Sequence, residues 1–157
     1  MSKALLAPGR WIGRGSFVEK GQSLGTTVEC VFDVASEEIG THIKGELTIR
    51  DSSARFAFGI WITPNDTGTY DVAAQYGAAN LEGIAKMESY PNLAMLWSAR
   101  NDLQVSCALF DLRSGRGCRG FSRSAKAQLT WEMVLREERM AAPANNVVTL
   151  PARKKPR

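Results

Sequence analysis

The side chains able to move a proton in this chain are spread along it rather than gathered into a motif. Glu29, Asp71, Glu88 and Glu132 are carboxylates inside or beside apolar runs, and Arg123, His42 and the hydroxyls of Tyr70 and Tyr76 complete the set. A carboxyl group withdrawn from water rises in pKa and can serve as a general acid or base. Glu29, Glu88, Glu132, His42 and Arg123 are therefore the catalytic candidates, on one condition. Most of them alternate with apolar residues of their own segments, which puts them on a solvated face. They would act together only if the faces were inverted, with a polar cavity inside and apolar residues covered by a partner subunit. His42 is the single histidine, and a lone histidine at the start of a strand is ordinarily surface decoration.

Three cysteines, Cys30, Cys107 and Cys118, stand far apart in sequence. An odd number at such spacing fits buried thiols better than a disulfide framework or a zinc site. Cys30 and Cys107 fall on the apolar side of their segments, whereas Cys118 reads as a turn cysteine beside Arg116 and Arg119. No phosphate-binding glycine loop, metal-ligand cluster, serine-hydrolase elbow or Cys-His nucleophile pair is present. No metal and no cofactor are expected.

The strongest local charge is the run Arg113, Arg116, Arg119, Arg123 and Lys126, interleaved with glycines and Phe121. It could grip phosphates or a carboxylate, or simply keep a hairpin edge soluble. The net charge of +4 comes from Arg153, Lys154, Lys155 and Arg157, and residues 1–150 carry 16 basic and 16 acidic side chains. A body without a net field argues against nucleic acid as a partner. No stretch approaches the ~18 apolar residues of a membrane helix, and the first eight residues are too short for a secretory signal. A cytoplasmic protein with no membrane association is expected.

These side chains must be positioned by strands. Residues 55–63, 68–76, 81–89, 92–100 and 103–113 are apolar runs separated by turn chemistry, as in an antiparallel meander. Before them, residues 24–34 alternate strictly, and residues 40–50 place Ile43, Gly45, Leu47 and Ile49 on one side. After them, Ala127, Leu129, Trp131, Met133 and Leu135 alternate with polar partners. Short helical turns at 35–39 and 137–141 fit the pattern, and a helix is the competing reading for residues 72–89, although Gly77 and Gly83 disfavour it by about 1 kcal/mol each. The expectation is an all-β fold of 8–10 antiparallel strands, closed as an up-and-down barrel or, failing that, a sandwich. Residues 1–8 form a flexible leader, 9–141 the barrel domain, and 142–157 a disordered basic tail.

Gly9-Arg10-Trp11-Ile12-Gly13-Arg14-Gly15 resembles the Gly-x-Trp-x-Gly-x-Gly start of calycins, the superfamily of lipocalins, fatty-acid-binding proteins and nitrobindins. The resemblance implies a barrel whose closed end is packed by Trp11 beneath an arginine of the last strand, a place that Arg136 matches. A nitrobindin-like haem would need a late histidine, which this chain lacks after His42, so haem is not expected.

A barrel of this size can enclose one small ligand. The lining candidates are Phe58, Ile60, Tyr70, Tyr76, Met87, Met95, Trp97, Leu109, Trp131 and Met133; the alternative is that they fill a solid core. Tyrosines and methionines among them suit an adaptable, partly polar pocket. The leading expectation is binding of a small apolar or amphipathic molecule. The alternatives are a barrel enzyme doing acid-base isomerisation, cyclisation or hydrolysis, and an anion-binding or nucleic-acid-binding module built on residues 113–126. Apolar residues on outer faces, read as Val31, Trp61, Leu96 and Val134, point to a homodimer or to a covering loop.

Overall fold

The alternation is realised along almost the whole chain. A computed structural model describes residues 5–100 and 102–138, and among them every regular element is a β-strand. The strands are β1 (Gly9–Glu19), β2 (Thr26–Glu37), β3 (Gly40–Ile49), β4 (Arg55–Pro64), β5 (Tyr70–Tyr76), β6 (Ala79–Lys86), β7 (Asn92–Ser98), β8 (Leu103–Leu112), β9 (Gly115–Arg123) and β10 (Gln128–Glu137). Each pairs antiparallel with its sequence neighbours, and β10 closes onto β1 from Trp11↔Glu137 to Glu19↔Leu129. The result is a closed ten-stranded up-and-down barrel without a free edge, which removes the hazard of unpaired strand groups.

The competing local readings fail for tertiary reasons. Residues 72–86 run through β5 and β6 instead of a helix, because each side of the hairpin has a ladder partner in β4 or β7, and residues 87–89 begin the β6–β7 connection. The helical turn expected at 35–39 is absent, since β2 runs on to Glu37 against Gly40. Of the turn expected at 137–141, Glu137 is strand and the Glu138 amide bonds Arg10 O at 2.8 Å. Residues 139–141 and the tail at 142–157 lie outside the described residues. The apolar faces point inward, so the inverted arrangement does not occur.

Two glycines of the opening motif have a steric explanation. A Cβ on Gly13 would stand 2.5 Å from Cys30 Sγ and 2.8 Å from a Leu135 methyl, and one on Gly15 would stand 1.9 Å from Glu132 O. At Gly15 the β10 backbone approaches too closely for any side chain, as tight barrel curvature requires, whereas Gly13 leaves room for the core side chains of Cys30 and Leu135.

The end where β2–β3, β4–β5, β6–β7 and β8–β9 turn is the lower end. Trp11, Phe32, Val34, Ile43 and Leu135 are buried there, with Trp11 and Phe32 stacked at 6.4 Å between centroids. Residues 5–7 fold under them. Leu6 and Ala7 join the core, Trp11 Nε1 donates to Ala7 O at 2.9 Å, and Arg116 Nε donates to Leu5 O at 2.8 Å. The arginine at this end is Arg116, not Arg136. Arg136 pairs with outward Ile12 and is exposed. Arg116 sits across from Leu135 on the inner face and bonds Asp111 at 2.9 Å.

Candidate functional site

The upper interior is built differently. Several large side chains that face inward there by register, Phe17, Phe56, Leu103, Val105 and Trp131, are half-buried, whereas Val28, Leu81 and Ser98 are buried. In a closed barrel an inward side chain meets water only through the lumen or its mouth. No large side chain of the described residues falls below 2% exposure, which a solid core of this size would be expected to produce. Ala74, Ala79 and Ala94 face inward on β5, β6 and β7, and the Trp131 indole lies over Gly120, where a Cβ would stand 2.6 Å from its Cζ2.

Of the expected lining residues, Phe58, Ile60, Tyr70, Tyr76, Leu109, Trp131 and Met133 face inward. Met87 is half-buried in the β6–β7 connection. Met95 and Trp97 need correction. They alternate with Asn92, Ala94, Leu96 and Ser98, and the ladder turns that smaller set inward, so Met95 and Trp97 lie outside at 56% and 39% exposure. By the same register Leu96 points inward and is not part of an outer stripe, whereas Val31 and Trp61, each 40% exposed, do face out.

Polar groups inside are few. Asn92 is buried; its Nδ2 donates to Leu109 O at 3.1 Å, and its Oδ1 has no donor among the described residues. All three cysteines are free and face inward. Burial pushes the Cys30 thiol up to about 11, against a smaller opposing effect from the Gly13 backbone. Cys107 and Cys118 share a hydrogen bond, which lowers the pKa of the first and raises that of the second. Cys118 is thus no turn cysteine: the hairpin turns at Arg113-Ser114, and β9 is already running at Gly115.

The proton-transfer candidates do not converge. Glu29 faces out beside Arg14 at 3.6 Å, and Glu132 faces out beside Arg119 at 3.1 Å. His42 stacks on Trp61 and lies 3.6 Å from Glu37. Asp71 faces out and accepts from Asn65 Nδ2 at 3.1 Å. Glu88, in the β6–β7 connection, accepts from Tyr70 OH at 2.7 Å, a bond that raises the tyrosine pKa. Burial raises that of Tyr76. The basic run is also divided. Arg116 points inward and Arg119 is paired and lies 5.6 Å over Phe110. Arg113 belongs to the lower end, while Arg123 and Lys126 belong to the upper, where Arg123 borders a surface hollow of about 210 Å³ with Asp102 and Gln104.

A larger groove of about 540 Å³ lies on the outer wall of β4–β7, bordered by Trp61, Thr63, Asp71, Ala73, Glu82 and Trp97. One ladder row, Trp61↔Ala73↔Glu82↔Trp97, spans it. No family model, curated protein or solved structure matches this chain. Sequence reasoning missed this row because alternation within a strand gives each residue a face but not its neighbour. Phe17 and Val105, not among the expected lining residues, also face inward.

Proposed function

We propose that the protein binds one small amphipathic molecule in the barrel lumen, in the manner of the calycin-like proteins its opening motif resembles. The observation that carries this reading is the half-buried state of inward-facing apolar side chains in a barrel with no free edge. Apolar walls with a few oriented polar groups are the usual construction of a small-molecule site. Phe17, Phe56, Leu103, Val105 and Trp131 supply the apolar part.

The lower end is stopped by Trp11 and residues 5–7, so the ligand enters from the upper rim. Catalysis receives no comparable support, because Glu29, Glu132 and His42 lie on the outer wall. Two measurements test the reading. Native mass spectrometry of the purified protein is expected to show a retained small molecule or a one-to-one adduct with an added fatty acid or similar amphiphile. An environment-sensitive apolar dye should bind at one site and be lost when Ala94→Phe fills the lumen. Unchanged dye binding in a folded Ala94→Phe variant would rule the lumen out.

A further inference from the structure

We infer that the groove on the outer wall of β4–β7 is a second binding site, one that takes an organic cation of the quaternary-ammonium class. The inference does not depend on the lumen reading, because its residues point the other way. Trp61 and Trp97 close the two ends of one ladder row, with Ala73 and Glu82 between them. Their Cα atoms are three strand spacings apart, about 14 Å. An onium group in that gap can come within about 6 Å of an indole, the reach of a cation-π contact.

The orientation of Trp61 is what turns the gap into a site. His42, its cross-strand partner on β3, covers one indole face, with centroids 4.8 Å apart and planes inclined by 15°. The opposite face turns toward β5, where its partner is Ala73, and a methyl group leaves that face open. The ring edge lies over Gly59, where a Cβ would stand 3.0 Å from Cη2, so the indole is braced on two sides. A fixed, half-exposed indole facing a small residue is a ready cation-π platform.

The charge of the lining selects the sign of the ligand. Glu82 and Asp71 border the groove, and no basic side chain does. Glu82 enters no ion pair or side-chain hydrogen bond among the described residues, unlike Glu29, Glu46 and Glu132 on the other outer strands. Lys86, further along the same face of β6, is turned away to Ser89 O at 2.7 Å and Pro91 O at 3.1 Å. A phosphate or carboxylate ligand would be repelled. A neutral sugar would gain stacking but would leave the carboxylate without its counter-charge.

The probe is choline, compared with its uncharged isostere 3,3-dimethylbutan-1-ol, in titrations followed by tryptophan fluorescence on the full chain. Saturable choline binding is expected, with the isostere at least tenfold weaker. Glu82→Gln, an exposed isosteric change, is expected to weaken choline about tenfold, and Trp97→Leu by a similar factor, which corresponds to about 1.4 kcal/mol for the loss of one contact. In both variants the affinity for the apolar lumen dye should stay unchanged, which separates failure of this site from failure of the other. Equal binding of the isostere, choline affinity unaffected by Glu82→Gln, or displacement by a neutral oligosaccharide would overturn the inference. So would a stable dimer in which Trp61 and Trp97 are protected from quenching by acrylamide.

Discussion

At the lower end of the barrel, Trp11, Phe32, Val34, Ile43 and Leu135 are each at most 7% exposed and close on one another beneath Leu6 and Ala7. At the upper end Phe17, Phe56, Leu103 and Trp131 face the same interior and remain half-buried. Both ends obey the same alternation and carry aromatic side chains, so hydrophobicity alone does not separate them. What separates them is size across the barrel. The large residues of β1–β3 and β10 meet one another and the N-terminal segment, whereas the upper residues share the interior with Ala74, Ala79 and Ala94. One end is packed against the N-terminal segment, and the other leaves its large inward side chains partly exposed.

The most severe way to break this contrast is to truncate an aromatic residue at each end. Trp11→Ala is expected to cost about 3–5 kcal/mol in chemical denaturation, through lost burial and the cavity left behind. Trp131→Ala should cost less than half as much, and an equal cost would mean that the upper end is solid.

The next test uses pH. Cys30 belongs to the closed end, and burial raises its pKa from 9.0 to about 11. The folded protein holds the thiol proton more tightly than the unfolded one. Its contribution is therefore complete below pH 9 and disappears as the pH climbs through 11, amounting to about 3 kcal/mol at most. Stability measured from pH 8 to 11 should fall more steeply in the parent than in Cys30→Ala. Parallel slopes would refute a dry environment for that thiol.

Filling the upper interior sharpens the comparison from the other side. Ala94→Phe should change stability by less than about 1 kcal/mol if the lumen is open, against the 1–3 kcal/mol typical of overpacking a full core. The smallest effect is expected on the outer wall. Arg119 and Glu132 are 69% and 63% exposed, and Glu132→Gln should shift the unfolding midpoint by no more than a surface pair allows, about 0.5 kcal/mol. The same variant serves as a check on catalysis, since loss of an activity in folded Glu132→Gln protein would bring back the enzyme reading.

Much of the fold was legible because the side-chain period of a strand is visible in sequence. Residues 26–34 and 129–135 show the same alternation in both, and the turns at 65–69 and 77–78 were marked by Asn, Asp and Gly. Legibility ended where the pattern was ambiguous within one strand. In β7, Met95 and Trp97 are bulkier than Ala94 and Leu96, and size suggested the inward set. Closure of the ladder onto β6 and β8 fixed the opposite choice, because a register once set assigns every side chain of the strand to a face. The reading of Cys118 as a turn residue had the same kind of consequence: β9 already begins at Gly115, so Cys118 faces the barrel interior.

The sequence by itself determined that this chain makes antiparallel strands, roughly how many, and which faces of most of them avoid water, since those properties follow from periodicity and turn residues close together in the chain. Tertiary structure alone decided the register in which β10 meets β1, that Arg116 rather than Arg136 lies at the Trp11 end, and that Trp61 and Trp97 share one row with Glu82. The physical reason is that these relations are set by hydrogen-bond register between strands up to about 130 residues apart, and a period of two along one strand carries no information about which residue lies beside it on the next.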